Sequence, residues 1–398
     1  MKRIPADMIA LLVFAVTLLA AVFLSELAQR SVLSTAVLFL LAGFITGPGM
    51  LEWIPAEPSN PVVAWFSTLA LFAVLFTDGM RMGIRDLVSA WRLPGRVLLL
   101  GLPLTVVITG LLAHWVVGLP WIACFLLGAV LSPTDPVFAA AILGREAIPY
   151  RVRHLLNVES GVNDGLALPI VLILLAIAGG SPVYGPILVS ELALGIALGV
   201  IVPWIALRLE KTRFFSVHPR YEPFDAFAIG LLVLAIAALM HANMYLAAFF
   251  AGVTIASAHS KIRDQFHDFG DRLTELLKLV ALLIFGAFIS PQFLAEVSWN
   301  GYLFAFLMLV VVRPLAQSLA LVGSPLSWRE WVIATWFGPR GFASVVFGLI
   351  VLQSGIADAD KIFHLIAVVV VISMIAHSST DVVLGRWLYG QQPEAARA

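Results

Sequence analysis

Long apolar runs separated by short polar breaks constrain this chain of 398 residues more than any other feature. Hydrophobic residues make up 61% of the sequence and charged residues only 12%, which is typical of proteins that cross a membrane several times. One crossing needs about 20 apolar residues, so the runs predict about thirteen transmembrane helices. Because lipid offers no partner to backbone polar groups, we expect an all-α membrane protein with a single polytopic domain over residues 1–398.

The basic residues predict how the chain lies in the membrane. Most of the 24 lysines and arginines fall in alternate loops, among them Arg81, Arg85, Arg151, Arg153 and Arg208. An excess of Lys and Arg marks the cytoplasmic side of a membrane protein. We therefore expect a multi-pass plasma-membrane protein with its C-terminus in the cytoplasm and, with thirteen crossings, its N-terminus outside.

Neither cofactors nor soluble partners are expected. The single cysteine, Cys124, lies within an apolar run, so disulfides have no role, and the 8 histidines are scattered along the chain. The sequence therefore predicts no cofactor and no nucleic-acid partner, and the lipid bilayer is the expected surrounding.

Two of the predicted membrane segments contain helix-breaking residues. Segment five, near 120–143, contains Ser132–Pro136, and segment twelve, near 331–352, contains Phe337–Gly341. A proline deprives an earlier carbonyl of its helical partner, and unwound backbone is tolerated at membrane depth only where protein or water covers it. A pair of interrupted helices is typical of transporters built from repeats. Because these two lie seven helices apart, they predict an inverted repeat of segments 1–6 and 8–13.

Segment six, near 159–178, carries the polar groups that most need an explanation. Glu159 and Asn163 share one helix face, as do Ser160 and Asp164. Asp164 is expected to approach the unwound part of segment five, where carboxylate, hydroxyl, amide and carbonyl oxygens would suit a small alkali cation. Such a carboxylate holds either a proton or a cation, and that competition couples the two fluxes. The alternative, in which Glu159 and Asp164 are surface charges near a helix N-terminus, suits Glu159 alone.

Three basic residues fall inside predicted membrane segments: Lys278, Arg313 and Arg340. Lys278 lies about one turn inside segment ten, near 273–290, and is expected to extend to the cytoplasmic surface. Arg340 lies near the middle of segment twelve, beside Pro339, and needs a partner inside the protein.

The ordered motifs resemble those of the monovalent cation/proton antiporter superfamily, and within it the NhaP-type sodium/proton antiporters of its first branch. The resemblance is carried by Ser132–Pro136, Glu159–Gly165 and Gly338–Gly341, with further similar stretches at Gly43–Pro48 and Phe76–Gly79. It spans nearly the whole chain, and the three motifs in this order are far more specific than any one of them.

The resemblance implies an NhaA-like antiporter fold in a homodimer of a bacterial or archaeal cell membrane. A core that moves like an elevator would then comprise roughly residues 96–180 and 301–386. The dimerisation part would comprise roughly residues 1–95 and 185–300.

The resemblance also implies roles for individual residues. Asp164 would be the main cation and proton carboxylate, with Thr134 and Ser160 as further Na⁺ ligands and Asp135 as an additional contact. Asn163 stands where the electrogenic branch of the superfamily has a second aspartate, so one proton per cation is expected. The protein would thus be a secondary transporter and not an enzyme, with sodium expected and potassium or lithium left open.

One buried ion pair is expected, and two histidines are candidates for pH sensing. The resemblance implies a structural ion pair between Glu159 and Arg340, with Arg313 as the rival partner of Glu159. His241 and His377 lie near helix ends, where a role in pH sensing stays open.

An intramembrane enzyme and a passive cation channel are the two alternatives to antiport. An intramembrane enzyme could use paired aspartates as acid and base, but the chain has no nucleophile elbow or zinc-ligand spacing. A passive cation channel favours rings of similar groups along a pore, whereas this sequence concentrates its charges at one depth. Saturable, proton-dependent exchange would distinguish an antiporter from both.

Overall fold

A computed structural model describes residues 6–24, 35–54, 61–84, 93–135, 148–179, 184–212, 217–258 and 260–389. Throughout these ranges the chain folds into helices joined by turns, with no β-strand, and the predicted all-α class is confirmed. The last third of predicted segment five, from Pro136 onward, lies outside the described residues.

The principal helices follow the apolar runs of the sequence. They are α1 (Ala6–Phe23), α2 (Thr35–Thr46), α3 (Pro61–Arg81), α4 (Pro94–Val117), α5 (Trp121–Val130), α6 (Tyr150–Ala178), α7 (Tyr184–Glu210), α8 (Glu222–Leu239), α9 (Met244–Ala258), α10 (Ser260–Phe288), α11 (Trp299–Ala320), α12 (Trp328–Trp336), α13 (Phe342–Gln353) and α14 (Ala359–Tyr389). A short helix, Pro291–Glu296, precedes α11.

By length and composition, 6 helices in the described ranges are apolar enough to cross a membrane, and they are α4, α6, α7, α8, α11 and α14. Helices α1, α2, α5, α9 and α13 are apolar but shorter. The polytopic character is therefore confirmed, while the total of thirteen crossings stays a prediction.

Helices α4 and α11 share an irregularity that the sequence patterns did not predict. Each contains one widened π-helical turn, Val97–Gly101 in α4 and Met308–Val312 in α11. In each helix a proline follows two residues later, Pro103 and Pro314. Because proline cannot donate to the preceding turn, a widened turn accommodates the missing bond. Segments four and eleven are equivalent in the predicted inverted repeat, and this matched pair supports it.

Two pairs of glycines bring helix backbones into direct contact. A methyl group at Gly79 of α3 would clash with the Phe249 carbonyl of α9, and one at Gly252 would clash with the Phe76 carbonyl. Gly43 of α2 and Gly286 of α10 have the same reciprocal relation. The predicted repeat exchanges α2 with α9 and α3 with α10, so the two glycine contacts are equivalent under it.

Candidate functional site

The two unwound stretches meet in the interior of the protein. Helix α5 ends at Val130 and α12 ends at Trp336, while α13 begins at Phe342. The backbone N–H of Asp135 donates to the carbonyl of Pro339 over 2.9 Å, which joins one break to the other. The two interrupted helices are therefore in direct contact at their breaks.

Arg340 satisfies the carbonyls that the break in segment five releases. Its Nη1 donates to the carbonyl oxygens of Ser132 at 2.6 Å and Pro133 at 3.1 Å. The guanidinium is buried, and its residue is only 3% exposed. Because a buried carbonyl without a partner is unfavourable, Arg340 stabilises the unwound backbone in the protein interior.

The polar face of α6 contacts the same break. Asn163 Nδ2 donates to Thr134 Oγ1 at 2.7 Å and lies 3.4 Å from the Thr134 carbonyl oxygen. Ser160 and Asp164 lie on α6 one turn apart, and each is 7% exposed. The structure thus brings four of the predicted site residues, Thr134, Ser160, Asn163 and Asp164, to one buried location.

Two oxygens at this location have no hydrogen-bond donor among the residues that the structure describes: Asn163 Oδ1 and Asp164 Oδ1. Buried polar atoms are nearly always paired in folded proteins. An unpaired carboxylate oxygen and an unpaired amide oxygen on successive residues of α6 are suited to a proton or a small cation. This arrangement fits the predicted hard-oxygen site.

Glu159 pairs with Arg313, which corrects the expected pair with Arg340. Arg313 Nη1 and Nη2 reach the two carboxylate oxygens of Glu159 at 2.8 and 3.2 Å, and Gln317 Nε2 adds a bond of 3.2 Å. Arg313 also donates to the carbonyl of Phe337, where α12 ends. Arg340 extends instead toward α5, so the rival assignment is the one observed. The Glu159 carboxylate is thereby neutralised and excluded from the ion site.

Lys278 lies inside the protein, and the expectation that it extends to the cytoplasmic surface is wrong. Its Nζ lies 3.7 Å from Asp135 Oδ1, and its side chain is 13% exposed. The other oxygen of Asp135 accepts the backbone N–H of Phe342 at 3.1 Å, at the first turn of α13. Asp135 therefore stabilises the N-terminus of α13 and the charge of Lys278 together.

Asp78 is a buried carboxylate that the sequence argument missed. It lies near the end of α3, is 4% exposed, and accepts from Arg81 Nη1 at 3.2 Å. Arg81 Nη2 also donates to Asp271 on α10 at 2.9 Å. Asp78 could have been identified from the sequence by the same feature as Asp164, because each is a carboxylate within an apolar run.

The two histidines occupy different surroundings. His377 is buried, with Nε2 at 3.2 Å from the Trp336 carbonyl and Nδ1 at 2.8 Å from the Ser373 carbonyl. The hydroxyl of Ser373 accepts the backbone N–H of Arg340 at 2.8 Å. His377 thus supports the break between α12 and α13. His241 lies in an exposed turn with φ of 54°, and pH sensing by either residue stays a prediction.

Crossed, interrupted helices with a buried carboxylate beside them define a class of membrane protein, the secondary transporters that bind their substrate where helices are broken. A family model described as "Sodium/hydrogen exchanger, transmembrane" matches residues 13–386. The chain belongs to this family of cation/proton antiporters, which are transporters and not enzymes.

Curated relatives and solved structures agree with this membership. The chain is 26% identical over 392 residues to a K(+)/H(+) antiporter NhaP of Alkalimonas amylolytica, covering 97% of this chain and 68% of the relative. It is 26% identical over 372 residues to a K(+)/H(+) antiporter NhaP2 of Shewanella sp. strain MR-4, covering 90% and 63%. The chain therefore spans about two thirds of the length of these relatives.

The fold is similar to that of the sodium proton antiporter MjNhaP1 of Methanocaldococcus jannaschii, whose structure was solved at pH 8. The TM-score is 0.80 at 20% identity, with 97% of this chain and 100% of that chain covered. The NhaA-like antiporter architecture expected from the resemblance is confirmed at the level of the fold.

Proposed function

We propose that this protein exchanges a monovalent cation for a proton across the membrane, with both competing for Asp164. The observation that carries the proposal is the buried Asp164 carboxylate, whose Oδ1 lacks a donor in the described part of the chain. It follows Asn163 in α6, and Asn163 donates to the hydroxyl of Thr134 in the unwound stretch. A carboxylate in this setting binds one positive charge at a time, either H⁺ or the cation.

The cation ligands in this proposal are Asp164, Ser160 and Thr134, with the amide oxygen of Asn163 as a fourth donor. All are hard oxygen donors, which alkali cations prefer. Asp135 contributes its charge to the site, since its two oxygens contact Lys278 and the Phe342 N–H. Cations and protons are substrates here, and the proposal needs no cofactor.

One proton per cation is the stoichiometry that we propose. Asn163 is neutral, and Glu159 is neutralised by Arg313, which leaves Asp164 as the carboxylate that exchanges its bound charge. Exchange of one cation for one proton moves no net charge. The membrane potential, worth about 2.3 kcal/mol per charge per 100 mV, would then not drive the reaction.

Alternating access would come from movement of residues 96–180 and 301–386 against residues 1–95 and 185–300. The bond between Asp135 and Pro339 and the Arg340 contacts with α5 hold the two breaks together as one unit. The glycine contacts of α2 with α10 and α3 with α9 hold the other part. We propose that this second part also forms the homodimer, with the C-terminus of each subunit in the cytoplasm.

The transported cation is proposed to be sodium, and potassium is the second candidate. The fold neighbour MjNhaP1 is described as a sodium proton antiporter, whereas the relatives from Alkalimonas and Shewanella are described as K(+)/H(+) antiporters. Oxygen ligands serve both ions, and the size of the site decides between them.

The experiment that tests the proposal uses purified protein in liposomes with an imposed pH gradient and a fluorescent pH dye inside. Sodium, potassium and lithium are added in turn, with and without a potassium ionophore that clamps the voltage. We expect cation-dependent dissipation of the gradient that the clamp does not change. Asp164→Asn should abolish it, whereas Asp360→Asn, at an exposed acid on α14, should not.

Each outcome assigns a different function. Normal exchange by Asp164→Asn would move the ion to another carboxylate, with Asp78 the next to test. Exchange that accelerates with an inside-negative potential would exclude the one-to-one stoichiometry. Absence of exchange for all three cations, in folded wild-type protein, would contradict antiport itself.

A further inference from the structure

Lys278 is a largely enclosed cation in contact with the two breaks. It lies on α10, which packs mainly against α2 and α3 and also touches α13. Its Nζ lies 3.7 Å from Asp135 Oδ1 and 5.7 Å from the centre of the Phe342 ring. Asp135 lies in the unwound stretch of segment five, and Phe342 begins α13 after the unwound stretch of segment twelve. Helix α10 therefore places one positive charge against both interrupted helices.

A short series of contacts leads from Lys278 to the ion site. Lys278 contacts Asp135. The residue before Asp135 is Thr134, whose hydroxyl accepts from Asn163 Nδ2 at 2.7 Å. Asp164 follows Asn163 in α6. Asp164 also lies within electrostatic reach of both Lys278 and Asp135. A change in either charge is therefore felt at the carboxylate that binds the cation.

The other charges near Asp164 have partners of their own. Asp78 is paired with Arg81, which also binds Asp271. Glu159 is held in the bidentate pair with Arg313. Lys278 lies against Asp135 and also acts electrostatically on Asp78, and the effects of Lys278 and Asp135 on Asp164 have opposite signs. Because charges interact strongly in a partly desolvated interior, removing either charge changes the electrostatic environment of Asp164.

We propose that Lys278 is a tethered counter-cation that neutralises Asp135 and thereby sets the affinity of the Asp164 site for the transported cation. In this role Lys278 is a positioning and affinity-determining residue and does not itself touch the substrate. The inference rests on the proposed antiport at Asp164 and adds to it a residue that controls how tightly the cation is held.

Opposite effects of the two single substitutions are the distinguishing prediction. Lys278→Met removes a positive charge that acts on Asp164 and should lower the cation concentration that gives half-maximal exchange by about threefold or more. Asp135→Asn keeps an oxygen that can accept the Phe342 N–H but leaves Lys278 uncompensated, and should raise that concentration by a similar factor. The double variant restores neutrality and should return it to within about twofold of wild type.

The measurement is the half-saturation concentration of the cation in liposomes, determined for each variant at a symmetrical pH high enough that this concentration no longer changes with pH. This quantity does not depend on how much protein is active, so a loss of folded protein lowers the maximal rate without moving it. Lys278→Arg, which keeps the charge, should behave like wild type. Arg272→Met removes an exposed positive charge from the same helix and should leave the half-saturation concentration unchanged.

Three results would overturn the proposal. Equal half-saturation concentrations in wild type and both single variants would show that the pair does not act on the site. Shifts in the same direction would indicate a purely structural role. Loss of exchange in a folded double variant would make Asp135 a direct ligand. If Lys278→Met does not fold, Asp135→Asn against the double variant makes the same comparison. Failure of wild-type exchange would instead contradict the proposed function.

Discussion

At the scale of single residues, the buried charges are arranged in pairs with separate tasks. Glu159 and Arg313 form a bidentate pair in which both side chains are about as buried as the apolar core, at 5% and 4% exposure. Arg313 further donates to the Phe337 carbonyl, so the pair attaches α6 and α11 to the end of α12. The pair determines the shape of the site, because both carboxylate oxygens of Glu159 already accept hydrogen bonds from Arg313.

Breaking this pair should destabilise the protein more than removing it. Glu159→Gln or Arg313→Met alone leaves a buried charge without its partner, and each should lower the free energy of unfolding by about 3 kcal/mol. The double variant Glu159→Gln with Arg313→Met should recover much of that loss. Thermal unfolding in detergent would measure both effects. Equal losses in the single and double variants would instead assign the role to the Arg313 bond with Phe337.

The pairing could not be predicted from the sequence, although each charged residue could be found in it. Both Arg313 and Arg340 fall within apolar runs, and spacing alone does not reveal which face of a helix meets α6. The helix breaks, by contrast, could be predicted from the prolines, because a proline removes one helical hydrogen bond wherever it lies in a helix. The contact between Lys278 and Asp135 was missed because segment ten was predicted to begin at residue 273, which placed Lys278 near an end.

At the scale of helices, hydropathy predicts the apolar part of a helix better than it predicts the residue at which the helix begins. Helix α10 begins at Ser260 and α6 at Tyr150, about a dozen and about nine residues before the predicted segments. The extra turns are polar, so an apolar window excludes them. Their presence moves Glu159 well inside α6, and an interaction with the helix N-terminus no longer accounts for it.

The glycine contacts should be the most sensitive points of helix packing. Gly79→Ala or Gly286→Ala places a methyl group against a backbone carbonyl of the neighbouring helix, and each should cost about 1–3 kcal/mol of stability through overpacking. The measurement is the midpoint of thermal unfolding. Gly161→Ala is the matched control, because a methyl group there meets its nearest atom, Met82 Cγ, at 3.7 Å. A control as destabilised as Gly79→Ala would contradict the packing explanation, because helix propensity alone favours alanine over glycine.

At the scale of the whole molecule, the halves of the chain correspond more closely than hydropathy suggested. The breaks in segments five and twelve, the π turns of α4 and α11, and the reciprocal glycine contacts are each related by the same exchange of segments. Both halves use the same residue types at these points, a proline after each π turn and glycines at each contact. Single shared residues are too sparse for residue-by-residue comparison to reveal them, whereas the shared conformations are plain in the structure.

A site built around one exchanging carboxylate makes a quantitative prediction for the whole transport cycle. If a proton and a cation compete one-to-one at Asp164, the half-saturation concentration of the cation should rise about tenfold for each unit by which the pH falls, once the site is mostly protonated. Exchange measured in liposomes at symmetrical pH values over several units would give this slope. Asn163→Asp supplies a second carboxylate beside the first and should steepen the slope toward two protons per cation. A wild-type slope above one would mean that a second group, with Asp135 or Asp78 the nearest carboxylates, exchanges its proton in the same cycle.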